Sequence, residues 1–100
     1  MSRKADFERL LKQGKRLRMA GFTFYYERRD AGGARLGMLV TRKHHPAATE
    51  RNRIKRYIRE AFRLEQHKLG ALDLLVRPPE RAASAQMVQE LRAILARLET

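Results

Sequence analysis

Apolar positions along the chain follow two different spacings, and the changes from one to the other mark the elements. Phe7, Leu10 and Leu11 share one side of a predicted helix over Asp6–Gln13, which Gly14 ends. Phe22 to Glu27 (FTFYYE) is aromatic and β-branched and predicts a strand. Asp30-Ala-Gly-Gly predicts a turn, and Leu36 to Arg42 a returning strand that completes a hairpin. His44-His45-Pro46 breaks that strand, because proline cannot continue the pairing. From Ala47 to Gln66 the spacing becomes helical, with Ile54, Ile58, Ala61 and Phe62 forming a buried stripe. Leu72 to Val76 predicts another strand, closed by Pro78-Pro79. Ser84 is placed to cap a last helix with Met87, Leu91, Ile94, Leu95 and Leu98 on its apolar face. The order is α-β-β-α-β-α, with room for one further short strand before Phe22. That implies an α+β sandwich of one mixed sheet with packed helices. Without repeat, linker or low-complexity segment, residues 1–100 are expected to form a single domain.

Charge changes this picture more than size does. Lys and Arg number 23 against 11 Asp and Glu, a formal net charge of +12. Such a field attracts polyanions through counterion release. Arginine dominates, and its planar fork binds phosphate bidentately and stacks on bases. Nucleic acid is therefore the expected partner. There is no cysteine, which excludes disulfides, thiolate metal sites and Cys nucleophiles. No run of signal-peptide or membrane-spanning type stands in the sequence, so a soluble, cytoplasmic protein is expected.

The second helix concentrates the charge. On a wheel at about 100° per residue, Asn52, Lys55, Arg56, Arg59 and Arg63 lie opposite Ile54, Ile58 and Phe62. Like charges at i and i+4, such as Lys55 with Arg59, cost an isolated helix a few tenths of a kcal/mol each. A polyanion would neutralise that face, with Glu60 offsetting part of it through Arg56 and Arg63. A helix committed to the core leaves no apolar side for a membrane, and flanking strands do not suit a helix-turn-helix.

The run from Glu50 to Arg63 (ERNRIKRYIREAFR) resembles the signature of the bacterial ribonuclease P protein component. Asp6-Phe7 followed by Gly14, the strand LGMLVTRK ending in two cations at Lys43, Asp73 with its apolar strand, and the terminal amphipathic helix agree with it. The resemblance implies an α+β sandwich of order α-β-β-β-α-β-α, ribosomal S5 domain 2-like, with a left-handed crossover around the RNR helix. It implies that Arg51, Asn52, Arg53, Lys55, Arg56 and Arg59 contact the catalytic ribonuclease P RNA. It further implies a cleft between the first helix and the sheet for the single-stranded 5′ leader of precursor tRNA, using Phe7, Tyr25, Arg42 and Lys43. Alternation sets Tyr25 on the face opposite Phe22, Phe24 and Tyr26, and Phe7 suits core packing and leader contact equally. The chain departs from the family at His44-His45-Pro46-Ala47, where many relatives have an apolar-Gly stretch. The basic tails of many relatives are also expected to be missing.

No catalytic residue or metal site is expected in the protein itself. Asp6, Asp30 and Asp73 lie apart in sequence on different elements, the vicinal His44 and His45 have no third ligand at a useful spacing, and His67 suits a helix C-terminus. The resemblance then implies division of labour: Mg2+ held mainly by the RNA, and a protein that screens phosphate repulsion and grips the leader. A structural RNA-binding protein, for instance a ribosomal one, and a DNA-binding module remain the alternatives.

Overall fold

A computed structural model describes residues 4–99; the extreme termini, where basic tails are expected to be missing, lie outside the described residues. Seven elements follow in the order α1 (Lys4–Gln13), β1 (Lys15–Met19), β2 (Phe22–Arg28), β3 (Arg35–Met38), α2 (Ala48–Leu69), β4 (Leu72–Arg77) and α3 (Gln86–Ala96). The short strand before Phe22 is thus present, and the fold is the expected α+β arrangement.

Gly14 ends α1 because the chain has no room there for a side chain. A Cβ would meet the Leu10 carbonyl oxygen at 2.6 Å and that of Tyr26 at 3.2 Å. The chain turns at once into β1, which pairs antiparallel with β2 through a two-residue turn, with Ala20 and Gly21 both at positive φ. The last helix starts one residue later than a Ser84 cap predicts, with Ala85 at the cap position and no side-chain cap bond there; the Ser84 hydroxyl still accepts the Gln86 N–H at 3.2 Å.

Strand pairing corrects one expectation. β2 and β3 do not form a hairpin, because the sheet order is β1-β2-β4-β3, with β4 antiparallel to β2 and parallel to β3. The reason is burial: Leu72, Asp73, Leu74, Leu75 and Val76 are all buried, so β4 belongs in the middle of the sheet. β3 has only four residues and takes an edge. It also ends earlier than Arg42. Leu39 N–H still reaches the Val76 carbonyl, but β4 then runs into Pro78 and Pro79, which have no N–H to pair.

The two faces of the sheet are packed differently. Phe22 and Phe24 of β2, with Leu72, Leu74 and Val76, pack against Ile54, Ile58 and Ala61 of α2 and the Met87, Leu91, Ile94 and Leu95 face of α3. Each such side chain contributes about 1.5–3 kcal/mol by leaving water. Arg28 donates to the carbonyl of Leu69, the last residue of α2, and to that of Leu98 just past the end of α3. On the opposite face α1 covers only part of the sheet, where Leu10 packs with Tyr25 and Leu75, flanked by Phe7 and Leu39.

At one end of that face stands Asp73, fully buried. Arg35 donates to its two oxygens at 2.7 and 2.8 Å, and Arg9 and Arg29 each approach within 2.9 Å. Arg9 also faces Glu27 at 3.5 Å and Asp6 at 3.8 Å. Asp6 and Asp73 are therefore not isolated, as their sequence separation suggests; they converge on one guanidinium. Burial works to raise the Asp73 carboxyl, yet the Arg35 hydrogen bond and the charges of Arg29, Arg35 and Arg9 hold it below the usual carboxylate range.

A folded value below the unfolded one means that this carboxylate stabilises fully above about pH 4, and that the contribution fades as pH falls through the depressed folded value. Asp73→Asn is expected to cost about 3 kcal/mol at neutral pH, since it strands partly buried arginines. Urea unfolding against pH should show the gap between wild type and variant closing only in acid.

Candidate nucleic-acid interface

α2 presents its apolar stripe to the core and its cations outward. Ile54, Ile58 and Ala61 are buried, whereas Asn52, Arg53, Arg56, Arg59 and Arg63 are exposed. Thr49, Asn52, Arg53, Lys55, Arg56 and Arg59 line one shallow hollow of about 620 Å³. Five of the seven residues predicted on this helix thus share a single surface, and no acid lines it.

The other two are engaged elsewhere. Arg51 is half-buried and donates to the carbonyls of His45 at 3.0 Å and Pro46 at 2.8 Å, so it holds the loop before α2. Arg63 binds Glu60 at 2.7 Å, and that hydrogen bond holds the exposed Glu60 carboxyl below its ordinary range. Further along, Glu65 is buried and accepts from Arg92 of α3 at 3.0 Å; that bond leads in lowering its carboxyl, with help from Lys68 and against the effect of burial.

The loop at residues 39–47 carries Arg42 and Lys43, both exposed. It is pinned just beyond them. His45 is buried with Nε2 2.9 Å from the Pro79 carbonyl, and His44 Nδ1 contacts a Glu80 carboxylate oxygen. His44 and His45 therefore fasten this loop to the segment after β4. Among the described residues, no group of three or more His, Asp and Glu is placed to hold a metal ion.

On the opposite side of the sheet, residue pairing makes rows across the strands. Arg18, Thr23 and Arg77 form one; Arg16, Tyr25, Leu75 and Gly37 the next; Glu27, Asp73 and Arg35 the third. Tyr25 shares this face with half-buried Phe7, while Phe22 and Phe24 are sealed in the core behind it and Tyr26 packs at its edge. A groove of about 480 Å³ runs over the first two rows, walled by Pro78, Pro79 and Glu80.

Matches to known proteins decide the affiliation. Residues 1–99 fit the Ribonuclease P family. The chain belongs to that family. Its sequence is 44% identical to the ribonuclease P protein component of Nitrosococcus oceani over 71 residues, 71% of this chain and 60% of that protein. With the Haemophilus influenzae protein of the same name the figure is 35% over 92 residues, 86% of this chain and 77% of that one. Among solved structures, the Staphylococcus aureus RNase P protein superimposes with a TM-score of 0.88 at 29% identity, covering all of this chain and 96% of that one. The Thermotoga maritima RNase P protein, solved with 1-(4-fluorophenyl)-2-thiourea, gives 0.85 at 30% identity and 99% coverage of both chains.

Arg16, Arg18 and Arg77, which line the groove, were not picked out from the sequence, although a signal exists. In Lys15–Met19 the cations Arg16 and Arg18 alternate with Leu17 and Met19, the mark of a strand with one wet face. Arg77 is the one exposed residue of an otherwise buried strand.

Arg51 and Arg53 should separate cleanly in a stability assay. Arg51→Ala is expected to lose about 1–2 kcal/mol by freeing two carbonyls of the pinned loop. Arg53→Ala should stay within about 0.5 kcal/mol of wild type in urea unfolding.

Proposed function

We propose that this chain is the protein subunit of ribonuclease P. In this reading it binds the catalytic ribonuclease P RNA through α2 and the 5′ leader of precursor tRNA through the sheet face beside α1, and so assists endonucleolytic removal of the leader. The observation that carries the reading is the pairing of two cationic surfaces on opposite sides of one thin sheet, in a chain of this family. The outward side of α2 offers Asn52, Arg53, Lys55, Arg56 and Arg59 to a folded RNA. The other side offers Tyr25 and Phe7 for stacking, with Arg42 and Lys43 on the pinned loop as backbone contacts. Base stacking on an aromatic contributes about 1–3 kcal/mol per base and tolerates any sequence, which suits leaders of varied composition.

The division of labour follows from the chemistry of these groups. Guanidinium groups stay charged at every physiological pH, so they screen phosphates and do not shuttle protons. In this proposal the RNA holds the Mg2+ ions and positions the attacking water, in the two-metal sense. The protein brings two polyanions together at physiological ionic strength, where their repulsion opposes assembly. No helix among the described residues is long and apolar enough to cross a membrane, and cytoplasmic action is part of the proposal.

Reconstitution tests it. The protein, a bacterial ribonuclease P RNA and a precursor tRNA at low magnesium should give cleavage at the mature 5′ end, with little from either component alone. Tight RNA binding without rescue would favour a structural RNA-binding protein, and equal competition by duplex DNA would favour a DNA-binding module. Replacing Arg53 and Arg56 together by Ala should make the slope of log K against log salt shallower by about 1–2. Tyr25→Ala should weaken substrates with a long leader more than leaderless ones, as measured by equilibrium binding to the holoenzyme.

A further inference from the structure

The sheet face beside α1 is electrostatically graded, and the grade gives it a direction. At the Asp73 end three arginines are taken up by carboxylates: Arg35, Arg29 and Arg9 by Asp73, and Arg9 again by Glu27 and Asp6. At the other end stand Arg18 and Arg77, with Arg16 beside Tyr25 in the next row; all three are exposed, and their guanidinium groups make no hydrogen bond or ion pair among the described residues. The nearby acid, Glu80, is in contact with His44. Between the ends lies the apolar row of Tyr25 and Leu75, partly roofed by α1.

We infer that Arg16, Arg18 and Arg77 form a phosphate track that starts beside Tyr25 at Arg16, continues the leader site past it to Arg18 and Arg77, away from α1, and binds the distal nucleotides of a single-stranded RNA. This rests on the proposed leader reading and gives it a polarity and a length. Three features of the groove fit such a ligand. Arg18 and Arg77 flank Thr23 in one row, so their strands stand roughly 10 Å apart, twice the strand spacing, with a small residue as the floor. Arg16 and Arg18 stand two residues apart on β1, a repeat of about 6.7 Å that matches successive phosphates of an extended strand better than a duplex groove. The far wall is rigid, since Pro79 sits against the β1–β2 turn so closely that a Cβ on Gly21 would lie 2.8 Å from its ring. The same wall is where His45 fastens the loop bearing Arg42 and Lys43, which brings those cations to the same end of the sheet.

Contact through phosphates makes the track indifferent to leader sequence and sensitive to leader length. The test uses the holoenzyme reconstituted with ribonuclease P RNA, and precursor tRNAs whose leaders are shortened stepwise. Wild-type affinity should rise with leader length until the track is filled. The Arg18→Ala, Arg77→Ala double variant, which removes the row beyond Tyr25, should lose roughly tenfold on long leaders near physiological salt, with a salt slope shallower by about 1.4. It should bind leaders trimmed back to the Tyr25 region as wild type does. Arg18→Lys with Arg77→Lys should retain most of the affinity, since phosphate contact needs the charge more than the fork. If wild type is indifferent to leader length, the leader reading fails and the track with it. If wild type responds to length and the double variant responds equally, the leader site stands and the track is wrong.

Discussion

A carboxylate sealed inside a sheet has to be neutralised, and Asp73 meets that requirement with arginines from three separate parts of the chain. Arg9 comes from α1, Arg29 from the start of the β2–β3 connection, and Arg35 from the first position of β3. Each brings its segment with it. Arg9 orients α1 over the sheet, Arg29 also donates to the Ala31 and Gly33 carbonyls and shapes the turn, and Arg35 sets β3 in register with β4. Coulomb attraction at low effective dielectric is strong enough to offset the desolvation of one carboxylate, but only when the partners are in place together. The docking of α1 and the insertion of β4 between β2 and β3 are thus coupled through one side chain.

That coupling also sorts the charge of the protein. A chain with +12 cannot pair every cation, and its acids are spent where structure demands them. Asp73, Glu27 and Asp6 hold one end of the sheet face, Glu65 joins α2 to α3 through Arg92, and Glu50 accepts the Ala83 N–H to fix the segment before α3. The outward side of α2 and the Arg16–Arg18–Arg77 end of the sheet are left uncompensated. Surface pairing there would contribute at most about 1 kcal/mol to folding, so the fold loses little by leaving these groups free for a polyanion. The two bare surfaces lie on opposite sides of the sheet, one on the outward side of α2 and one on the strands themselves, as the proposed bridge would use them.

Much of this was readable from residue spacing. The stripe of Ile54, Ile58 and Ala61 fixed both the core side and the cationic side of α2, because a helix of 3.6 residues per turn leaves no other choice. Period-two alternation likewise placed Tyr25 opposite Phe22 and Phe24 before any strand pairing was known. Gly14 and the Pro78-Pro79 stop acted locally and were legible for that reason. The resemblance of the Glu50–Arg63 run supplied the family, which patterning alone could not.

Strand order, by contrast, depended on burial that no local window contains. Two apolar strands joined by a Gly-rich turn read as a hairpin, yet β4 displaced that pairing because it is buried on both faces and carries the carboxylate that β3 must reach. The role of His45 was hidden for the same reason, since a histidine in a loop acquires its partner only when the chain returns through Pro79; Arg51, whose partners in the preceding loop are local, was hidden by its place in a basic run. Arg16, Arg18 and Arg77 become one groove only after three strands are laid side by side. The sequence by itself determined which residues face inward, which helix bears the charge and where elements stop, since these follow from backbone periodicity. Tertiary structure alone decided which cations are spent on carboxylates and which stay bare, since that depends on contacts between segments far apart in the chain.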